Sequence, residues 1–482
     1  MDWLSLRSRY AVPSGVSARG ARLLALRKVL DGTQYDVLTN PFAKERSGAG
    51  EYIPLSNRRP SVRTNLCRTV VDESVSLLFG DTHWPAVLAD DTDTVAALGA
   101  FVRSCRLGAL MMEAAVRGSV GSVAILFEVA CGVPKLSLLD TAYLTPHWDP
   151  LSGALLEVSE RYAVQGRVLA AEGYVIPDEL TAAQFWWQRT WTSEECRVMT
   201  PVPLSVAADE AAVDEERSVR HGLGFVPIVW IRNLGAEHSS EPDGDCTFER
   251  AIDTVIEADY LLSQAGRGLK YGSDPTLVLK TGGRAPEGPA RQGGAASALT
   301  LPPEGDAKLL EINGNAAGAV LAHYKELREL VLEQLHGNRA HADRLAAAQS
   351  GRAMEMMCQP LIWLADRLRH AYGEGGLIPL FRMACRFSCV LKDGLLIDGV
   401  RVRNLVPTGL SLHWPPWFAV TNGELLSLAQ GLVTAVSGGV LSRETAVRIY
   451  ANATGNPDPA AEWQQLVAWV PEKSASMAHE EA

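Results

Sequence analysis

Three carboxylates, Glu249, Asp253 and Glu257, recur every four residues in FERAIDTVIEADYLL and so fall on one face of a helix as an acid row. A polar segment, NRAHADRLAAAQSG, groups Asn338, Arg339, His341, Asp343 and Arg344, and a Gly/Pro-rich loop carries Arg284 and Arg291. Asp243 and Asp245 in EPDGDC have oxygens that a cation could use, but a turn followed by a helix cap is the favoured reading. His336 and His341 are separated by a glycine break, and Cys385 and Cys389 have no Cys/His partners at ligand spacing, so no metal is expected. Ser119 in GSVGS reads as a turn before a strand. The chain has no GxxxxGK[ST] phosphate loop, no GxSxG elbow, no HExxH and no EF-hand loop, and HGLG and GRG lack the setting of a dinucleotide fingerprint. No catalytic cluster, metal or cofactor is therefore expected, and the chain reads as something other than an enzyme.

The elements that must carry these residues lie mainly between Thr247 and Tyr372. A first helix spans Thr247 to Ala265, with Phe248, Ile252, Val255, Ile256 and Leu262 on one face, and Gly266 and Gly268 are expected to end it. The segment TGGRAPEGPARQGGAASALTLPPEGD follows and is too poor in large apolar residues to build a core. A second helix starts near Asn315 and runs to His336 before Gly337. Each helix has roughly 20 residues, hence about 30 Å of length. A third begins near Ser350, is expected to kink at Pro360, and stops at Tyr372-Gly373. Two helices standing out from a body with a small cap between them is one reading; two ordinary helices joined by a loop is the other.

With 482 residues, two to four domains or subdomains are expected. Apolar residues at 47% and charged residues at 21% suit a folded protein, and a formal charge of -11 disfavours tight static binding to nucleic acid. The eight cysteines form no CxxC pair and are expected as buried free thiols in a reducing compartment. No signal-peptide pattern and no membrane-length apolar run occurs, so a cytoplasmic site of synthesis and no membrane partner are expected. Before the central stretch, ARLLALRKVLDG, RTNLCRTVVDESVSLLFGD and the segment from Asp91 or Thr92 to Arg117 read as helices. Strand signals then dominate: SVAILFEVA and KLSLLD as a hairpin, a turn-rich TAYLTPHWDPLSG, then LLEVSERYAV, AQFWWQRTWTSE, ECRVMTPV and FVPIVWI. Trp186, Trp187 and Trp191 suggest sheet packing or subunit contact. GLIPLFRMACRFSCVL and RVRNLVPTGLSLHW read as mixed helix and strand. Three short helices close the chain, the first with Thr421 and Glu424 as a capping box.

Several of these segments, in this order, resemble the portal proteins of long-tailed bacteriophages. The resemblance is carried by NLCRTVVDESVSLLFGD, YLTPHWDPLSG, HGLGFVPIVWIRN, FERAIDTVIEADYLLSQAGRGLKYGSDPTLVL, SGRAMEMMCQPLIWLADRLRHAYGEGG and HWPPWFAVTNGELLSLAQGLVTA. Together they cover the chain from about residue 60 to 450.

The resemblance implies an α+β portal fold assembled as a cyclic ring, usually of twelve subunits, at one capsid vertex. It implies a mixed α/β wing over residues 1–246, stem helices at 247–267 and 315–337, a small clip at 268–314, a tunnel loop at 338–351, a second wing part at 352–420, and a helical crown with tail at 421–482. Double-stranded DNA would pass non-specifically during packaging and ejection. Glu249, Asp253 and Glu257 would line the stem channel, Asn338, Arg339, His341, Asp343 and Arg344 would form the tunnel loop, and Arg284 and Arg291 would meet a partner at the clip. The implied partners are other copies of the chain, a terminase ATPase, head-tail connector or adaptor proteins, and major capsid and scaffolding proteins. The implied place is the virion, after assembly in the bacterial cytoplasm. A hydrolase-like enzyme of small oligomeric state, with a deep pocket, is the alternative.

Overall fold

The computed structural model describes residues 1–235, 241–272, 277–280, 298–301, 314–337, 351–417, 422–456 and 459–468. Of the described residues, 47% are helical and 19% are in strands. Helical and strand stretches are segregated along the sequence, which makes the fold α+β.

Helices α1 (Trp3–Arg7), α2 (Ala18–Leu30) and α3 (Leu66–Phe79) open the chain. The Asp2 and Ser17 side chains cap the first two by accepting from the Ser5 and Gly20 N–H groups. Helix α3 ends at Gly80 as expected, although Leu78 rather than Leu77 completes its buried face. The apolar stretch expected as one helix is two, α4 (Thr92–Ser104) and α5 (Leu107–Gly118), bent by 68°. Arg106 takes φ +49°, which interrupts the helical ladder. The bend lets Leu98 and Phe101 from one limb and Leu107 and Met111 from the other enter a single core. Asp91 caps α4, accepting from Thr94 N–H at 2.9 Å.

Strands β1 (Ser122–Ala130) and β2 (Val133–Leu139) form the expected hairpin, but β2 starts two residues before KLSLLD, leaving a two-residue turn in which Cys131 and Gly132 are both at positive φ. Next come β3 (Leu144–Trp148), β4 (Leu155–Gln165), β5 (Gln184–Trp191), β6 (Glu195–Val198) and β7 (Ile228–Arg232). The segment expected as a turn-rich crossing thus contains a strand, β3, irregular at His147/Trp148. One antiparallel sheet has the order β7–β1–β2, and the other runs β6–β5–β4–β3 with short Val219–Arg220 beside β6. The first six residues of β1 are buried. Val123, Ile125 and Phe127 join the helical core, whereas Ala124 and Leu126 face a smaller core with Val158, Trp191 and Ile228. Period-two alternation therefore binds one strand to two layers.

A 3-10 turn at Glu249–Ala251 leads into α6 (Ile252–Gly272). The helix runs through Gly266 and Gly268 instead of ending there. A helical glycine costs only about 1 kcal/mol against alanine, and an Arg267–Glu45 ion pair ties this turn to the N-terminal region. Leu277–Lys280 pairs in parallel with Ala298–Leu301. Helix α7 (Gly314–Gln334) stops as expected, with His336 at φ +55° and Gly337 N–H returning to Leu332 O at 2.8 Å.

Helix α8 (Gly351–Leu368) includes Pro360 and does not stop at Tyr372-Gly373. It continues through a π-helical segment, Arg369–Leu377, into α9 (Ile378–Val390). The stretch expected as mixed helix and strand is helical up to Val390, because wider turns absorb the glycines that read as a stop. Helices α10 (Asn422–Ser437), α11 (Arg443–Ala453) and α12 (Pro459–Ala468) match the three expected C-terminal helices.

Candidate functional site

Of the residues that the resemblance assigns to a site, the described ones, Glu249, Asp253 and Glu257, lie at the root of α6. Its inward stripe is Ile252, Val255, Ile256, Asp259, Tyr260 and Ser263, all buried. The stripe keeps helical spacing, but one member is a carboxylate. Asp259 accepts from Tyr35 Oη at 2.9 Å and from Thr64 N and Oγ1 at 2.8 Å each. Burial raises its pKa above the usual carboxyl range, with the Thr64 and Tyr35 hydrogen bonds acting in the opposite sense. One turn on, Ser263 Oγ donates to Asp259 O at 2.7 Å and accepts from Val62 N–H at 3.0 Å. Tyr260 Oη donates to Arg58 O at 2.8 Å. The root of α6 is thus stitched to residues near Tyr35 and Thr64, far away in sequence.

The acid row divides. Glu249 lies in the 3-10 turn before the α-helix and pairs with Arg22, whose guanidinium pKa is raised chiefly by that hydrogen bond. Asp253 is exposed and accepts from the Trp3 N–H at 2.6 Å, holding the start of α1. Glu257 is exposed one turn further along. Arg284, Arg291, Asn338, Arg339, His341, Asp343 and Arg344 lie outside the described residues.

Of the two carboxylates considered for a cation, Asp243 is engaged by other groups, whereas Asp245 is exposed and is held through its backbone. Both oxygens of Asp243 meet Arg19, at 2.7 Å each, and Oδ1 also accepts from Ser122 Oγ at 2.5 Å. Arg19 continues to the Thr141 and Leu144 carbonyls at 3.0 Å and lies over Trp230. The Asp245 carbonyl accepts from Asn233 Nδ2 at 2.6 Å. Among the described residues no group of three His, Cys, Asp or Glu side chains could hold a metal ion. All eight cysteines are free, but only Cys67 and Cys385 are fully buried; Cys131 and Cys389 are exposed, which corrects the expectation of buried thiols.

Beyond the root, the two long helices lose their cover. Helix α6 has an unbroken buried stripe as far as Ser263, after which only Gly268 is buried through Lys270. In α7 nothing from Gly318 to Leu330 is buried, and the anchors are Val331 and Leu332, with Leu335 just past its end. The two helices pack on each other, and Leu269, Leu321 and Leu330 are exposed. The C-terminal helices are barer still. Neither α10 nor α12 has a buried residue, and α11 buries only Ala451. Val433 and Val440 are 69% and 83% exposed.

A groove of about 1310 Å³ opens where the β3–β4 turn meets the π-helical segment, with Trp148, Trp230, Arg232, His370, Glu374 and Arg382 among its lining residues. Arg232 lies over the Trp148 ring at 4.6 Å, and the exposed Asp149 turn is closed on itself through Leu151 N and Ser152 Oγ. These contacts do not form a nucleophile–base pair. Set beside known proteins, the chain matches no family profile and no curated protein.

Proposed function

We propose that this chain is the portal subunit of a tailed bacteriophage, the ring through which double-stranded DNA enters and leaves the capsid. The observation that carries the reading is the helix pair α6 and α7, rooted in an α+β body and, among the described residues, mostly unburied beyond that root. A helix with apolar residues on its outer face is stable when a neighbour covers them. A head-to-tail ring offers such cover to every copy at once. The two-stranded parallel pair between the helices also fits, since so small a sheet is marginal alone. The element order agrees with wing, stem, clip, stem, wing and crown.

In this reading α6 and α7 form the stem, and Glu257 is the acid of the row left to face the channel, since Asp253 holds the start of α1. Rings of carboxylates repel phosphate, keep the duplex centred and lower the barrier to sliding. Glu249 instead fixes the root through Arg22. The connector 338–351 supplies Arg339, His341 and Arg344 as scattered phosphate contacts that carry no sequence information. A terminase ATPase docking at the clip, through Arg284 and Arg291, supplies the energy, and adaptor proteins replace it later.

Negative-stain images of the purified chain test the reading directly. Rings with an axial hole are expected, and discrete small particles at all protein concentrations would reverse it in favour of the enzyme alternative. Replacing Arg339 and Arg344 together by alanine should leave rings intact while reducing packaged DNA severalfold. Normal packaging and genome retention in that double variant would remove the role assigned to the connector.

A further inference from the structure

The run from Gly351 to Val390 is one continuous helix with a nine-residue π-helical segment in its middle. Ile378 N–H bonds to Gly373 O, five residues back. Most π segments are single-turn bulges, so this one is long, and it contains Gly373, Gly375 and Gly376. Glycine is the poorest helix former after proline. The weakest part of the run is nevertheless held by neighbouring segments, with Tyr372, Gly373, Gly376 and Leu377 buried.

Two side chains do the gripping, on different partners. Tyr372 is fully buried, with its Oη 3.2 Å from Asn233 Oδ1 and 3.4 Å from Ala115 O. Asn233 Nδ2 in turn reaches Asp245 O and Thr247 Oγ1 at 2.6 and 3.0 Å, the residues that lead into α6. Arg369 has its guanidinium 3.2 Å from the Trp417 ring centroid and 4.8 Å from that of Trp414, and donates to Pro415 O at 3.1 Å. These residues lead towards α10. Glycines allow the close fit: a Cβ on Gly373 would lie 2.7 Å from Trp414 Cζ2, and one on Gly376 would lie 2.8 Å from Ile231 Cδ1.

We propose that the π segment is a switchable joint coupling the root of α6 to the lead into the C-terminal helices. Tightening from π to α turns rotates and lengthens the segment. Tyr372 and Arg369 sit three residues apart on it, so they cannot both keep their partners when its pitch changes. Release at one latch therefore biases the other, and the coupling is reciprocal. The device goes beyond the portal reading and does not depend on it.

Hydrogen–deuterium exchange on the full chain tests the joint with two variants, Tyr372→Phe and Arg369→Gln. Tyr372→Phe should speed exchange at least tenfold at Gly409–Trp414, which the lost hydroxyl does not touch. Arg369→Gln should do the same at Gly244–Ala251. Changes confined to each variant's own latch would overturn the proposal and leave static packing. Uniform acceleration across the chain, including Ser122–Ala130, would equally overturn it as general destabilisation. If Arg369→Gln does not fold, Arg369→Lys keeps the charge near the rings and loses the guanidinium's stacked geometry, and is held to the same outcomes. Exchange is read without reference to rings, so failure here and failure of the portal reading are distinguishable.

Discussion

Leu335→Asp will undock the returning helix of the pair while the sheet body stays folded. Val331, Leu332 and Leu335 are the buried apolar side chains at the root of α7, and Leu335 is 2% exposed. Gly337 turns back onto Leu332, and a Cβ there would lie 2.8 Å from Leu332 Cδ2 and 2.9 Å from Val70 Cγ2, so the site has no room to rearrange. Removing a buried leucine forfeits about 1.5–3 kcal/mol, and an unpaired carboxylate in its place costs several more, on the order of 5 kcal/mol together. That exceeds what a helix otherwise buried nowhere along 318–330 can supply. Limited proteolysis should then cut α7, Ser122–Ala130 should keep its exchange protection, and, on the proposed portal reading, rings should be absent from negative-stain fields of the variant. Rings at wild-type yield would show that the root is not what holds the helix pair in place.

The second large effect belongs to Asp259. Asp259→Leu should cost about 3–5 kcal/mol, because Tyr35 Oη, Thr64 N and Thr64 Oγ1 all lose their acceptor inside the body. Asp259→Asn should stay within about 1 kcal/mol of wild type near neutral pH, since an amide oxygen can still face Thr64 and the Tyr35 hydroxyl can reverse its role. The pH dependence separates the two causes. The folded carboxyl has a raised pKa, mainly from burial, so the folded state holds the proton more tightly than the unfolded state. Its contribution is most favourable below the ordinary carboxyl range, falls as pH rises through that range, and levels off above the folded pKa. Asp259→Asn removes this slope. Melting temperatures of wild type and Asp259→Asn should therefore differ in pH dependence across the acid range, with wild type gaining relative stability towards low pH. Parallel curves would mean that the site is not titrating as its burial requires.

The parts of the fold that read clearly from sequence are those decided locally. The cap at Asp91, the stop at Gly80, the hairpin across Cys131-Gly132 and the end of α7 at Gly337 each depend on a few adjacent residues. What was not legible depends on distant partners. The break at Arg106 exists because Leu107 must reach the same core as Phe101. Helix α6 crosses two glycines with Arg267 paired to Glu45, 222 residues away. Glu249 looked equivalent to Asp253 and Glu257, but Arg22 claims it. The Asp259 hub was missed although a signal was present: a single acid on the apolar stripe of Val255, Ile256 and Tyr260 marks a buried carboxylate that needs donors. Its donors, Tyr35 and Thr64, lie 224 and 195 residues away, beyond any spacing argument.

The C-terminal helices carry a consequence for handling the purified chain. From Leu425 to Ser442 the sequence has no charged residue, and among the described residues α10 has no buried side chain. An uncharged apolar ribbon left in water favours contact with other apolar surfaces, so the chain's solution behaviour should depend on its own concentration and on added detergent.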